Sequence, residues 1–295
     1  MAAASLAIAP VTAKDTTPTK WLVFLHGILG SGANWRTFAR QVVAARPEWG
    51  ALLVDLRLHG DSQDFAPPHT LEAAARDIVE AIPTLPTLPG GADAPIRGAH
   101  APIRGVLGHS FGGKVGIELA RQLADAPNGA PDQLIVVDST PGARPDHRGS
   151  SGVRHIVELL TQLPPEFPDR NAFTAWAEER GVSRPTAMWL AMNVRPVPNT
   201  TRFEFRLDIP SIRTMMDDYF AQDLWPVIEH PPGTMNTHLI VGGDSEVVDA
   251  TDLGRARTAP RATVDVIPNA GHWVHVDAPD TLRELVLAYL APPKT

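Results

Sequence analysis

The sequence predicts an α/β chain: a mostly parallel central sheet flanked by helices, with a helical cap inserted into it. Three observations carry that prediction. Continuous apolar runs (Trp21–Leu25, Ala51–Val54, Leu134–Val137, Leu239–Val241) alternate with helix-competent stretches. Such runs mark strands covered on both faces by crossover helices. Between about 143 and 235 the alternation stops, and short helical segments separated by prolines replace it. Finally, the apolar run ending at Val106-Leu107 leads into Gly108-His109-Ser110-Phe111-Gly112 and then a helical segment. That strand–turn–helix context makes Gly-x-Ser-x-Gly a sharp elbow carrying an exposed serine.

Composition bounds the rest. The 295 residues are 43% hydrophobic, enough for a packed core, and no run of about eighteen apolar residues indicates a membrane span. A net charge of −7 without a basic stripe argues against nucleic-acid binding. The absence of cysteine excludes disulfides, thiolate metal sites and a cysteine nucleophile, and it fits a cytoplasmic protein.

In chain order, residues 1–20 lack the basic start and long apolar core of a secretory signal, and read as a tail or a first edge strand. Trp21–Leu25 is a buried strand ending in His26-Gly27-Ile28-Leu29-Gly30-Ser31-Gly32, a glycine-rich turn before a helix around Trp35–Ala45. Phosphate-loop spacings are missing from that turn. Ala51–Asp55 is the next strand, and Asp55 with Arg57 reads as an ion pair shaping the following loop. Thr70–Ile82 is a capped amphipathic helix with Leu71, Ala74, Ala75, Ile78 and Ile82 on one face, ended by Pro83. Residues 83–102 echo Ala-Pro-Ile-Arg-Gly twice and read as a surface insertion. The elbow helix runs to about Ala124, Pro127-Asn128-Gly129 turns the chain, and Gln133–Val137 is a strand ending in Asp138.

The domain division is therefore a tail (1–20), a sheet domain (21–142 and 236–295) and a cap (143–235). The cap helices are placed at Val153–Leu163, Asp169–Arg180, Ser183–Asn193 and Ser211–Trp225, with a short strand at Phe203–Asp208. Its Met188, Trp189, Met192 and Met216, together with Trp273, are the candidate substrate-contacting residues, because a cap over strand ends lines an apolar pocket. Thr237–Val241 returns to the sheet, followed by a helix around Asp252–Arg257, a strand Ala262–Ile267 and a closing helix Asp280–Leu290.

Ligands in parallel sheets bind at the carboxyl ends of strands, where Ile28, Ser110 and Asp138 all fall. His272, on a glycine-flanked loop after the last strand, can reach back to Ser110 as its base. The N–H groups of Ile28 and Phe111 are the candidate oxyanion hole, each worth roughly 3 kcal/mol. Two aspartates compete for the orienting acid: Asp138, and Asp244 after the later strand. Counting Gly-x-x-Asp from Gly242 lands on Ser245. The remaining histidines show no ligand spacing, so no metal or other cofactor is expected.

The wording Leu25-His26-Gly27, Asp55-Leu56-Arg57-Leu58-His59-Gly60-Asp61-Ser62, Gly108-His109-Ser110-Phe111-Gly112-Gly113-Lys114 and Asn269-Ala270-Gly271-His272-Trp273 resembles the α/β-hydrolase superfamily. In detail it is similar to the capped small carboxylesterases of bacteria and their mitochondrial relatives. The resemblance implies an α/β-hydrolase fold and hydrolysis of carboxylic esters or thioesters of small or medium acyl chains by Ser110, His272 and an acid, without cofactor. It favours Asp138, since these esterases tend to use the earlier position. A serine at the nucleophile position argues against haloalkane dehalogenases and epoxide hydrolases. Carbon–carbon bond hydrolases, lactonases and perhydrolases share the triad, and a non-catalytic ligand receptor is the alternative of another class.

Overall fold

The computed structural model describes residues 4–82, 103–126 and 129–291. The proposed insertion at 83–102, the Pro83 helix stop and the Pro127-Asn128 turn lie outside the described residues.

Seven strands form one sheet: β1 (Ile8–Val11), β2 (Lys20–Leu25), β3 (Trp49–Val54), β4 (Ile103–His109), β5 (Gln133–Val137), β8 (Asn236–Gly242) and β9 (Ala262–Ile267), in the order β1-β3-β2-β4-β5-β8-β9. All pairings are parallel except β1 with β3. Residues 8–11 thus belong to the sheet rather than to a tail, with Ile8 opposite Val54. Strands alternate their side chains between faces. Val23, Leu25, Val106, Leu134 and Val136 point into one core, and Leu22, Phe24, Leu107, Ile135 and Val137 into the other. The uninterrupted apolar runs are the sum of these two alternating sets. Helices α1 (Arg36–Ala45) and α11 (Pro279–Tyr289) cover the second face. Helices α2 (Leu71–Ala81) and α3 (Phe111–Ala124) cover the first, while α9 (Ala250–Thr258) packs on β9. Thr70 caps α2 as the sequence requires, accepting the Ala73 N–H at 3.1 Å.

Strand order reverses direction at β2: β3 lies on one side and β4 on the other. This switch point opens a crevice between the ends of β2 and β4. Over it sit α4 (Ser151–Leu160), α5 (Arg170–Glu178), α6 (Arg184–Leu190), β6 (Val194–Pro196), β7 (Phe203–Phe205), α7 (Ile209–Ala221) and α8 (Trp225–Glu229). The cap is not purely helical. β6 and β7 pair antiparallel, Val194 opposite Phe205, and the expected strand shortens to three residues. The expected helix from Ser211 to Trp225 is two helices, broken at Gln222. A stacked aromatic pair, Phe173 and Phe205 at 5.3 Å, anchors the cap interior.

The Asp55–Arg57 pair does not form. Arg57 makes a bidentate pair with Asp77 of α2, at 2.6 and 2.8 Å. Asp55 instead accepts backbone N–H groups from Gly32 and Asp61. Asp55 is occupied by the backbone of two turns, and α2 supplies Arg57 with a carboxylate in bidentate geometry. Among the described residues no helix is long and apolar enough to cross a membrane.

Candidate active site

β4 delivers the chain into a turn that only this sequence pattern tolerates. Ser110 has φ 54° and ψ −120°, a strained combination for a residue with a side chain. A Cβ on Gly108 would lie 2.0 Å from the Gly112 carbonyl oxygen, and one on Gly112 2.5 Å from that of His26. Both glycines are therefore steric necessities. The turn projects Ser110 Oγ to 3.0 Å from His272 Nε2. On the other side of the imidazole, Nδ1–H donates to Asp138 Oδ2 at 2.6 Å.

Asp138 closes β5 and is fully buried. Its carboxylate also accepts the Gly242 N–H (3.0 Å) on Oδ1 and the Ser245 hydroxyl (2.6 Å) on Oδ2. Asp244 has its backbone N–H on Ala270 O, and its carboxylate makes no hydrogen bond among the described residues. Of the two candidate acids, then, only Asp138 meets His272. Ser245, standing where the Gly-x-x-Asp count lands, donates to that acid; sequence reasoning found the position but not its role.

His272 is held from behind. His109 Nε2–H donates to the His272 carbonyl at 2.8 Å, and the two rings stand 4.7 Å apart. Burial, reinforced by the neighbouring His272 and His275, pushes the His109 pKa well below the ordinary histidine value, so the ring next to His272 stays neutral. His109 thus ties the elbow to the loop that carries His272.

The Gly27–Gly32 turn supplies the opposite wall. Ile28 N–H has no acceptor among the described residues. Phe111 N–H, at the start of α3, is one of the four amides that helix geometry leaves without a partner. Both residues line the cavity beside Ser110. The turn is braced by buried imidazoles. His26 donates to Gly27 O (2.8 Å) and accepts the Leu56 N–H (3.0 Å). His59 donates to Arg57 O and accepts the Leu29 N–H (3.1 Å). Burial pulls their pKa values down to about 4 and about 3. From the cap, Asn193 Nδ2–H donates to Leu29 O at 2.9 Å. No sequence signal pointed to Asn193, because its partner lies 164 residues away.

A cavity of about 420 Å³ opens onto Ser110 and His272. Of the candidate substrate-contacting residues, Trp189, Met216 and Trp273 line it, joined by Val153, Ile156, Tyr219 and Phe220. Met188 and Met192 do not. Met188 is 57% exposed, and Met192, 44% exposed, borders a separate cleft. In α6 the buried side carries Ala187 and Leu190, which turns Met188 toward solvent. Among the described residues no group of three or more His, Cys, Asp or Glu could hold a metal ion.

The sequence profile of the alpha/beta hydrolase family matches residues 22–285. The mouse (Mus musculus) sn-1-specific diacylglycerol lipase ABHD11 is 30% identical over 281 residues, covering 92% of this chain and 80% of that protein. Esterase YbfF of Escherichia coli (strain K12) is 25% identical over 290 residues, covering 95% of this chain and 96% of the esterase. A marine microorganism esterase of known structure superposes with a TM-score of 0.76 at 21% identity, over 98% of this chain and all of the other.

Proposed function

The chain belongs to the alpha/beta hydrolase family and is a carboxylic ester hydrolase, and we propose that it acts through an acyl-enzyme on Ser110, on esters of small or medium acyl chains. The observation that carries this reading is the hydrogen-bonded series Ser110–His272–Asp138, 3.0 Å then 2.6 Å. In it the serine hydroxyl attacks the ester carbonyl while His272 Nε2 takes its proton. Charge developing on the carbonyl oxygen is met by the N–H groups of Ile28 and Phe111, which need no reorganisation because turn and helix already hold them. Asp138 keeps the proton on Nδ1, so that Nε2 is free to act as base, and stabilises the imidazolium. His272 then protonates the leaving alcohol. Water attacks the acyl-enzyme by the same route and regenerates Ser110. A thioester fits the same sequence of steps, with a thiol leaving instead of an alcohol.

Cavity size supports the chain-length part of the proposal. At about 420 Å³ the cavity falls toward the small end of the roughly 300–1,000 Å³ typical of ligand pockets, which suits a small or medium acyl chain. Its lining is mainly apolar near Ser110, with Phe220, Met216 and Trp189 as walls.

The test is turnover of p-nitrophenyl esters from acetate to laurate, together with labelling by a fluorophosphonate. Burst kinetics, a preference below the long-chain end and a mass adduct on Ser110 are the expected results. No turnover at any chain length and no adduct on Ser110 would sink the proposal.

A further inference from the structure

Four residues beyond the nucleophile, Lys114 is fully buried, an unusual place for an ammonium group. Its Nζ donates to three backbone carbonyls: Gly142 O (2.8 Å), Tyr219 O (2.6 Å) and Gln222 O (2.9 Å). The last two belong to the C-terminal end of α7, where a helix leaves carbonyls without N–H partners of its own. The neighbouring Phe220 carbonyl accepts the Arg144 N–H, and Leu224 N–H donates to Pro141 O. The end of α7 is thus docked, carbonyl by carbonyl, onto the elbow helix and the loop after β5. A cation is the favourable group at a helix C-terminus, because it meets the negative end of the peptide dipoles. The Tyr219 ring lies 4.5 Å from Nζ and adds a cation–π contact.

Helix α7 also carries Met216, Tyr219 and Phe220, three walls of the cavity over Ser110. We propose that Lys114 is a positioning residue that determines acyl-chain selectivity: by capping α7 it holds that wall of the cavity at a fixed distance from the nucleophile. The proposal rests on the esterase reading above, but the docking of α7 is testable apart from it. Nothing in hydrolysis itself needs a cation here, since Nζ contacts neither Ser110 nor His272. A methionine would fill the space, yet it would leave three buried carbonyls unpaired, so α7 would shift to regain partners.

The arrangement depends on protonation. Three acceptors require the three N–H bonds of the ammonium form. Facing it are Arg144 from the loop after β5, Asp218 and Asp223 at the end of α7, Asp252 of α9, and Tyr219. Burial outweighs these carboxylates, and with Arg144 it pulls the lysine pKa down to about 7. Asp252 is itself committed to Arg144, and burial raises the Tyr219 pKa to about 12, leaving that ring neutral. As pH rises through the lysine value, one N–H is lost and a lone pair faces a carbonyl. The end of α7 then loosens and the cavity wall recedes.

Two arms test this. In the first, hydrogen exchange by mass spectrometry is followed in wild-type protein from pH 6 to pH 9, with rates corrected for intrinsic pH dependence. Peptides spanning 209–222 should lose protection as pH rises, while peptides from α11, on the other face of the sheet, should not. In the second, Lys114→Met is assayed on the p-nitrophenyl ester series. KM for the preferred medium-chain ester should rise about tenfold while kcat changes by less than about threefold, the mark of a binding wall rather than of the reacting groups. The variant's exchange in 209–222 should be raised and flat with pH. If α7 protection in the wild type is independent of pH, the protonation dependence is overturned, and if Lys114→Met folds and its exchange in 209–222 matches the wild type at pH 6, the capping role is overturned. If Lys114→Met folds and keeps the wild-type chain-length profile, the selectivity role is overturned. Should the variant fail to fold, the wild-type chain-length profile measured at pH 6 and pH 9 decides, since it must broaden with pH. Absence of any ester turnover in the wild type speaks against the proposed function, while the exchange arm still tests the capping.

Discussion

Exchanging Asp138 for asparagine keeps the shape of the acid and removes its charge at the point where the two candidate aspartates differ. The buried carboxylate accepts three hydrogen bonds: Gly242 N–H on Oδ1, and both His272 Nδ1–H and the Ser245 hydroxyl on Oδ2. An amide NH₂ must occupy one of those two sites. Placed at Oδ1 it opposes the Gly242 N–H, which cannot turn into an acceptor. Placed at Oδ2 it is tolerated by Ser245, whose hydroxyl can rotate to accept. His272 must then present Nδ1 as an acceptor and carry its proton on Nε2. That tautomer has no lone pair for Ser110. The expected loss in kcat is about 10⁴-fold, the size of effect seen when a triad imidazole is forced into the wrong tautomer. At 1.36 kcal/mol per factor of ten, this is about 5 kcal/mol of transition-state stabilisation. Asp244→Asn, with no hydrogen bond on its carboxylate, should stay within about threefold of wild type. Steady-state kinetics on a p-nitrophenyl ester, with far-UV circular dichroism to verify folding, provides the assay. If Asp138→Asn keeps more than a tenth of wild-type kcat, or Asp244→Asn loses as much as Asp138→Asn, the assignment of the acid is refuted.

Two further outcomes follow from the same geometry. Gly108→Ala should abolish activity and lower the melting temperature, because its Cβ meets backbone at 2.0 Å and neither strand nor helix can yield; a variant with wild-type melting and turnover would contradict the steric reading. Stability should also fall on acidification. His26 has a folded pKa of about 4 against 6.5 unfolded, so the unfolded chain binds the proton first between those values, and stability present above pH 6.5 is lost as pH falls toward 4. For His26 alone this amounts to about 3 kcal/mol, and His59, lowered to about 3, acts in the same direction. Urea midpoints measured from pH 7.5 to pH 4.5 should decline through that window, and a flat profile would refute buried neutral imidazoles bracing the turn.

Much of this protein was legible along the chain. Strands β2, β3, β5 and β8 announced themselves as apolar runs because two covered faces require apolar residues at both alternating sets, as Leu22 and Val23 show by entering opposite cores. By contrast β9, at the sheet edge and only partly buried, carries Thr263 and Asp265 within its run. The elbow was equally plain, since Gly108 and Gly112 are demanded by contacts within a few residues of Ser110. Ser110 and His272 could be named because each sits at a strand end with a local signature. These are properties of contiguous residues.

What tertiary structure alone decided concerns partners far apart in sequence. Asp138 and Asp244 both follow strands, and only the placement of β5 beside β4 and β8 brings the former to His272 and leaves Ser245 to donate to it. Arg57 chose Asp77 over the nearby Asp55 because α2 packs across the loop. Met188 faces solvent and Met216 faces the cavity, although both are cap methionines, since helix rotation is set by what the helix packs against. Lys114 is the sharpest instance: its ammonium group is buried because the end of a helix more than a hundred residues away brings carbonyls that need its protons. Local chemistry specifies elements and turns, whereas the choice of partner is an energy comparison among groups that only the assembled fold brings within reach.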